Sequence, residues 1–326
     1  MRRERPSVAR LVIVAPVFNE AGNLQAYFDA VTRTVFSAPG LDARVIFVDD
    51  GSTDDSWSTI EAASRRSPRF SGVRLSRNFG AHVALTAGFD QVGSTADIVA
   101  TLAADLQDPP DTVVEFVRAW RKGADIAWGS RRQRDDEGWR RLASAIMDCG
   151  LRHYAMPRNS KFRTGSFLLM DRKVLECFLQ YREQNRVTFA LVAWTGFEQA
   201  NVEYDRQARR AGNSGWSFGR MLNTAYDVFI GFSPVPAKVV TTVGFALSAL
   251  SVTAIVFMVA QWLVRDIQPG WTGLMVTVTF FFGILFMMIG MLAEYLYRIF
   301  IETKNRPLYF VADRIEGSAG LEPRHD

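Results

Sequence analysis

The sequence predicts an α/β domain on a mostly parallel sheet, followed by a helix lying on a membrane and a two-helix hairpin crossing it. Three observations predict this. Over roughly the first 200 residues, short apolar runs alternate with amphipathic stretches, the rhythm of strand–helix–strand units with both sheet faces covered. From Val239 to Val264, and again from Thr272 to Ala293, no residue is charged; each run reaches the ~20 residues a helix needs to cross a bilayer core. Just ahead of them, Arg206 to Tyr226 holds several arginines and no acid.

Whole-chain composition conceals this division. With 326 residues, 48% hydrophobic and 22% charged, the chain is neither disordered, nor collagenous, nor a small disulfide scaffold. Two cysteines, Cys149 and Cys177, cannot form a framework, which favours a reducing compartment. With His82, His153 and His325 they show no zinc spacing. The net charge of +4 suits anionic partners. Because the basic stretch abuts a membrane span rather than forming a soluble stripe, nucleic acid is not an expected partner.

The elements follow in order. Arg10–Ala15 reads as the first strand, closing at Pro16-Val17-Phe18-Asn19-Glu20. In Asn23–Thr34 the apolar residues Leu24, Tyr27, Phe28 and Val31 recur at helical spacing. Val45–Val48 is a second strand running into Asp49-Asp50-Gly51-Ser52-Thr53-Asp54, followed by a helix over Ser56–Ser64. Gly72–Leu75 is a third strand and Ala81–Val92 a helix; Asp97–Leu102 is a fourth strand, ending at Ala103-Ala104-Asp105-Leu106-Gln107. Pro109-Pro110 opens the helix Asp111–Arg121, since proline suits a first turn, and Asp125–Gly129 is a fifth strand.

Glu20, Asp49, Asp50 and Asp105 each fall at or just past the C-terminal end of a strand, the edge where open α/β sheets bind ligands. Asp54 and Asp111 read instead as turn or helix-capping residues. A row of carboxylates would repel a nucleoside diphosphate. It becomes useful if some take base and ribose while others hold a divalent cation on the phosphates.

Downstream, Met221, Leu222, Ala225, Val228, Phe229 and Phe232 recur at helical spacing beside Arg206, Arg209, Arg210 and Arg220, as in an amphipathic helix at a lipid surface. The turn Arg265–Trp271 between the spans is short, so both ends of the hairpin lie on one side. Lys238, Arg298, Lys304 and Arg306 flank the spans, which by the positive-inside rule puts both termini in the cytoplasm. Met1–Ser7 is arginine-rich without an apolar core, so no export signal is expected.

Together the segments Ala15-Pro16-Val17-Phe18-Asn19-Glu20, Val48-Asp49-Asp50-Gly51-Ser52, Ser76-Arg77-Asn78-Phe79-Gly80 and Asp105-Leu106-Gln107-Asp108-Pro109-Pro110 resemble family 2 glycosyltransferases. More narrowly, they resemble the polyprenyl-phosphate type, the bactoprenol-phosphate glucosyltransferases and dolichol-phosphate mannose synthases. The similarity runs from about Leu11 to about Val311 and includes Glu294-Tyr295-Leu296-Tyr297-Arg298 and Arg306-Pro307-Leu308-Tyr309. It implies a GT-A, Rossmann-like fold, a nucleotide-sugar donor, a divalent cation (Mg²⁺ or Mn²⁺) and inverting transfer to a polyprenyl phosphate such as undecaprenyl phosphate. By matched position, Pro16, Phe18, Glu20, Asp49, Asp50 and Asp105 would line the nucleotide-sugar site. Asp105 and Gln107 would hold the metal; Arg131, Arg140, Ser144, Arg206 and Arg209 would hold the lipid phosphate. Asp105 and Arg131 would carry catalysis. UDP-glucose is the expected donor. A flippase and a downstream glycosyltransferase are implied partners, and a homo-oligomer packed through the hairpins, by way of Gly283 and Gly290, is a further expectation.

Three positions depart from that pattern. Ala103 replaces the first carboxylate of an Asp-Ala-Asp run, Ser166 stands where relatives carry an aspartate, and Gly215 where they carry a lysine. These motivate an alternative reading, a catalytically weakened membrane protein that binds lipid phosphate and nucleotide. A processive polysaccharide synthase fits worse, since Ala211 follows Gln207-Ala208-Arg209-Arg210 where Trp would be needed, and two spans form no pore. The expected layout is a cytoplasmic GT-A domain at 1–205, a basic loop and amphipathic helix at 206–236, a hairpin at 237–300 with spans near 239–264 and 272–293, and a cytoplasmic tail at 301–326. The location would be the inner membrane.

Overall fold

The computed structural model describes residues 5–132, 167–184, 186–207 and 270–316, with scattered residues between 240 and 260. The chain forms two compact units, residues 1–225 with 307–326, and residues 226–306.

The first unit is an eight-stranded sheet with helices on its faces. In chain order it runs β1 (Ala9–Val17), α1 (Ala21–Thr34), β2 (Leu41–Asp49), α2 (Ser56–Arg66), β3 (Phe70–Leu75), α3 (Ala81–Asp90), β4 (Ile98–Thr101), α4 (Asp111–Arg121), β5 (Ile126–Arg131), β6 (Leu168–Asp171), α5 (Arg172–Phe178), α6 (Thr188–Trp194), β7 (Gln199–Tyr204) and β8 (Val311–Ile315). Spatial order is β7-β5-β6-β4-β1-β2-β3-β8. The strands β4-β1-β2-β3 are parallel, as expected. The expectation of a mostly parallel sheet holds beyond this centre too, since β5 and β7 are parallel to each other. β6 runs antiparallel to both β4 and β5, and β8 antiparallel to β3, so the sheet is mixed.

Burial explains the centre. Leu11 to Ala15 are buried without alternation, because a parallel strand with helices on both faces needs apolar side chains on both sides. On one face α1 lays down Leu24, Tyr27, Phe28 and Val31, and α4 lays down Val113, Phe116, Val117 and Trp120, each set at helical spacing. Tyr27 and Phe28 meet Phe47 edge-on, each at 5.4 Å between ring centroids.

Strand order places the functional edge. From β1 the chain moves outward through β2 to β3, then returns to lay β4 on the other side of β1. The crevice between the C-terminal ends of β1 and β4 is therefore the switch point at which such sheets take ligands. The segment after residue 306, expected as a tail, returns to this unit. Val311–Ile315 pairs with β3, Ser76 N–H donates to the Phe310 carbonyl (2.9 Å), and the Tyr309 hydroxyl donates to Asp90 (2.8 Å).

In the second unit the described residues between 240 and 260 are helical, and α7 (Trp271–Thr303) follows. Phe280–Thr303 is long and apolar enough to cross a membrane. Phe282, Phe286, Met287, Ile289 and Leu292 stand exposed on it. It continues past the expected end at Ala293, with Arg298 Nε bonded to Glu294 at 2.9 Å one turn on. Asn305, in the left-handed region at φ 45°, follows its last turn, as asparagine often does after a helix. The backbone at Gly244 runs within side-chain contact of Met288. The described residues thus include one span-length helix. The first expected span and the amphipathic helix fall mostly or wholly outside them.

Candidate active site

Two strand ends carry the acidic residues, and the structure uses them differently. At the end of β2, Asp49 is fully buried; its Oδ1 accepts the Ser52 N–H (3.0 Å), and Arg74 Nε lies 3.3 Å from Oδ2, close enough for an ion pair though not aligned as a hydrogen bond. Asp50 reaches across to the loop after β3, accepting the Phe79 N–H (2.7 Å) on one oxygen and the Gly80 N–H (2.8 Å) on the other. Burial raises the Asp50 carboxyl above its ordinary range, and the two N–H bonds only partly offset that. Between them and that loop, Gly51 takes φ 72°, and a Cβ there would meet the Arg77 carbonyl carbon at 2.6 Å, so only glycine fits.

The β1 end locks onto the same loop. Asn19 is left-handed at φ 55°, with its N–H on Ser52 Oγ (3.0 Å) and its Oδ1 accepting the Thr53 N–H (2.9 Å). The Glu20 N–H donates to Ser56 Oγ (2.9 Å), and its carboxylate accepts from the Asn23 amide. Phe18 is left 46% exposed, a large apolar ring at the mouth of the crevice, beside the half-buried Pro16.

Past β4 the chain makes a strained turn in which Leu106, buried and non-glycine, sits at φ 53°. Asn19 and Leu106, both left-handed, thus follow the two strands that flank the switch point. The half-buried Asp105 accepts the Gln107 N–H at 3.2 Å. Arg206, just past β7, donates from Nη2 to Gln107 Oε1 (2.5 Å), and the Gln207 N–H donates to the Gln107 carbonyl (2.9 Å). Arg131 ends β5, where it pairs in register with Tyr204 of β7. The structure therefore gathers Asp105, Gln107, Arg131 and Arg206 at one end of the sheet. Arg140, Ser144 and Arg209 lie outside the described residues, as do Ser166 and Gly215.

Two residues at this edge escape a reading of the sequence alone. Asp108 is 3% exposed and accepts the Tyr204 hydroxyl at 2.5 Å. Burial pushes the Asp108 carboxyl up, against the pull of the Tyr204 hydrogen bond and of Arg206 and Arg131. Burial, with Asp108 adding to it, pushes the Tyr204 phenol up to about 12. Asp108 does lie inside the Asp105–Pro110 motif. The signal for Tyr204 is fainter, a buried residue closing β7 after an alternating run.

A hard divalent cation suits this edge. Such ions bind through one or two protein carboxylates and complete their shell with water and substrate phosphate. Asp105 supplies a partly exposed carboxylate. Gln107 Oε1 would have to exchange its bond with Arg206 to join it. Among the described residues no group of three acidic, histidine or cysteine side chains forms a complete protein cage.

Comparison with known proteins bears on the whole chain. The family described as glycosyl transferase family 2 matches residues 12–179. An uncharacterized glycosyltransferase of Synechocystis is 36% identical, covering 93% of this chain and 95% of that protein. A bactoprenol glucosyl transferase of Shigella phage SfX is 30% identical, covering 94% of this chain and 99% of that protein. A solved structure, mannosyl-3-phosphoglycerate synthase from Rubrobacter xylanophilus, is similar with a TM-score of 0.48 and 16% identity, covering 68% of this chain and 71% of that one.

Proposed function

Because the chain belongs to glycosyltransferase family 2 and is a glycosyltransferase, we propose that it moves a hexose, glucose from UDP-glucose, onto a polyprenyl phosphate at the cytoplasmic membrane face. One observation carries this reading: Asp105 and the guanidinium groups of Arg131 and Arg206 share one sheet edge. That edge offers a carboxylate for a cation on the donor diphosphate and two forked cations for a second phosphate.

The acceptor is its own nucleophile. A phosphate monoester loses its second proton near pH ~6, so at neutral pH it is largely a dianion and needs no general base. Its oxygen attacks the anomeric carbon, the bond from that carbon to the diphosphate oxygen breaks, and the nucleoside diphosphate leaves with the electron pair. Configuration inverts. Pro16 and Phe18 flank base and ribose, with Glu20, Asp49 and Asp50 shaping the loops around them. Arg131 and Arg206, joined by Arg140, Ser144 and Arg209, align the lipid phosphate. The cation, Mg²⁺ or Mn²⁺ held by Asp105 and Gln107, would supply charge neutralisation on the leaving diphosphate. Docking at the membrane follows from the acceptor's head lying at its surface. The apolar α7, the contact of Gly244 with Met288 and the basic stretch from Arg206 support a two-span hairpin with a surface helix.

The test is transfer of labelled hexose to undecaprenyl phosphate in detergent, with UDP- and GDP-sugars and with Mn²⁺, Mg²⁺ or EDTA. Metal-dependent product from one donor, lost about a hundredfold or more in Asp105→Ala and in Arg131→Ala, is the expected outcome. No lipid product from any donor, with lipid still bound, would favour the weakened partner that Ala103 suggests; Ala103→Asp would then be the first reversion to try.

A further inference from the structure

Tyr204 and Asp108 face the edge described above and have no part in the chemistry proposed for it. The Tyr204 phenol donates to Asp108 Oδ1 at 2.5 Å, and Arg131, its register partner on β5, is close enough to pull both the phenol and the Asp108 carboxyl down against burial. Arg206 Nε lies 3.8 Å from that same carboxylate oxygen. One buried carboxylate is thus the shared counter-charge of two arginines, with the phenol bonded to it and facing Arg131 across the strand pair. Neither Asp108 nor the ring of Tyr204 has room to swing away. Asp108 is 3% exposed and stands directly before Pro109. The ring packs edge-on against Phe167, at 5.5 Å and 86°, and passes over Gly129, where a Cβ would meet it at 2.9 Å. The parallel register of β5 and β7 fixes Arg131 opposite Tyr204.

We propose that Tyr204 and Asp108 are positioning residues that hold the Arg131 and Arg206 guanidinium groups ready for the acceptor phosphate. The proposal rests on the acceptor site assigned above to those two arginines. The physical reason is preorganisation. A free arginine loses much rotamer freedom when it clamps an anion; one whose plane is already fixed on a rigid partner loses less. Asp108 also lets two cations share a small space before any phosphate arrives. A second anion entering there meets arginines already aimed, so its affinity carries the benefit. Donor binding, made on the β1 and β2 ends and on Asp105, does not.

The test compares wild type with Tyr204→Phe, which keeps the packed ring and removes the hydroxyl, and with Asp108→Asn, which keeps the shape and removes the charge. Two quantities are read: KM for undecaprenyl phosphate and for the donor sugar, and the Kd of a short isoprenyl monophosphate measured by calorimetry without donor. The expected result is a rise of about tenfold in acceptor KM and in analogue Kd for each variant, with donor KM unchanged and kcat altered less than about threefold. Tyr204→Phe in an Arg131→Lys background should add little, since both act on one guanidinium. Unchanged acceptor KM and analogue Kd in both variants would overturn the proposal, as would equal losses in donor and acceptor KM. Circular dichroism and binding of the nucleoside diphosphate check that each variant is folded; if one variant fails that check, the other decides. Should wild type transfer no sugar to the lipid, the proposed function fails on its own, while the analogue Kd still decides whether Tyr204 and Asp108 position the arginines.

Discussion

The ends of β2 and β4 carry the same residue type in the same sequence setting and do different work. After β2 the carboxylates are bound to backbone: Asp50 spends both oxygens on the Phe79 and Gly80 N–H groups, and Asp54 on those of Ala21 and Ser56. They tie the β1, β2 and β3 ends into one rigid rim. After β4 side chains enter as partners, although Asp105 also accepts the Gln107 N–H. Asp108 faces Tyr204 and Arg206, Gln107 faces Arg206, and Asp105 remains half-buried at the crevice. Backbone partners cannot leave without unfolding a loop, whereas side-chain partners can be exchanged for a ligand. An acid after a strand therefore marks the functional edge without telling whether it builds that edge or works there.

The largest expected effect separates the two. Asp105→Ala should lower kcat/KM about a thousandfold, equivalent to about 4 kcal/mol in the barrier, and leave the denaturant midpoint of the purified protein unchanged. Asp50→Ala should do the reverse in kind. It strands two backbone donors, and a loss of about 2–3 kcal/mol in unfolding stability is expected, tempered because a buried carboxylate is also removed. Asp50→Asn, which keeps one acceptor, should lose about half as much. A stable Asp50→Ala beside an unstable Asp105→Ala would invert the comparison.

Much of this rim is legible in the sequence, and the rest is hidden for identifiable reasons. Helices α1 and α4 announce themselves through Leu24, Tyr27, Phe28 and Val31, and through Val113, Phe116, Val117 and Trp120, since an amphipathic face repeats over several turns. Strand β6 is four residues long and buried almost throughout, too short for alternation to register. Strand β8 follows a long apolar helix and carries Asp313 and Arg314, so it reads as a polar tail; only its pairing with β3 makes it a strand. In the site, the acids are visible but their partners are not. Asp50 bonds residues 29 and 30 positions away, and Tyr204 meets Asp108 across 96 positions. Such pairings come from strand order, which local patterns do not encode.

A smaller effect follows two residues beyond the loop that Asp50 holds. Burial, with Arg186 adding to it, lowers His82 to about 4, and its Nδ1 has no hydrogen-bond partner among the described residues. The folded protein keeps this ring neutral while the unfolded chain takes up a proton below pH ~6.5. The unfolded state therefore binds more protons between those values, and stability falls as pH drops from about 6.5 toward 4. At about 1.4 kcal/mol per pH unit, the loss should reach about 2 kcal/mol, allowing for the partial exposure of the side chain. Denaturant midpoints at pH 7.5 and 4.5 for wild type and His82→Gln would read it. The variant should lose less than wild type over that interval, and identical slopes would show that His82 titrates normally.

The smallest effect sharpens the description of the β2 end as a brace. Asp54 accepts the Ala21 N–H at 3.1 Å and the Ser56 N–H at 3.0 Å, so one carboxylate caps the first turns of both α1 and α2. What burial it has would raise its carboxyl, yet the bonds from Ser56 and Ala21 outweigh that and hold it below the usual range. Asp54→Ala should cost about 1 kcal/mol at neutral pH. The sign of its pH dependence is set by the lowered value: the contribution is complete above the unfolded carboxylate range near ~3.9 and disappears as pH falls through the folded value. The gap between wild type and Asp54→Ala should thus stay constant from pH 7 to about 5 and close below that, whereas the wild-type loss between 6.5 and 5 that His82→Gln removes belongs to His82. A gap that already narrows at pH 6 would mean that Asp54 does not act as an ionised cap, and the β2 end would then be braced by Asp49 and Asp50 alone.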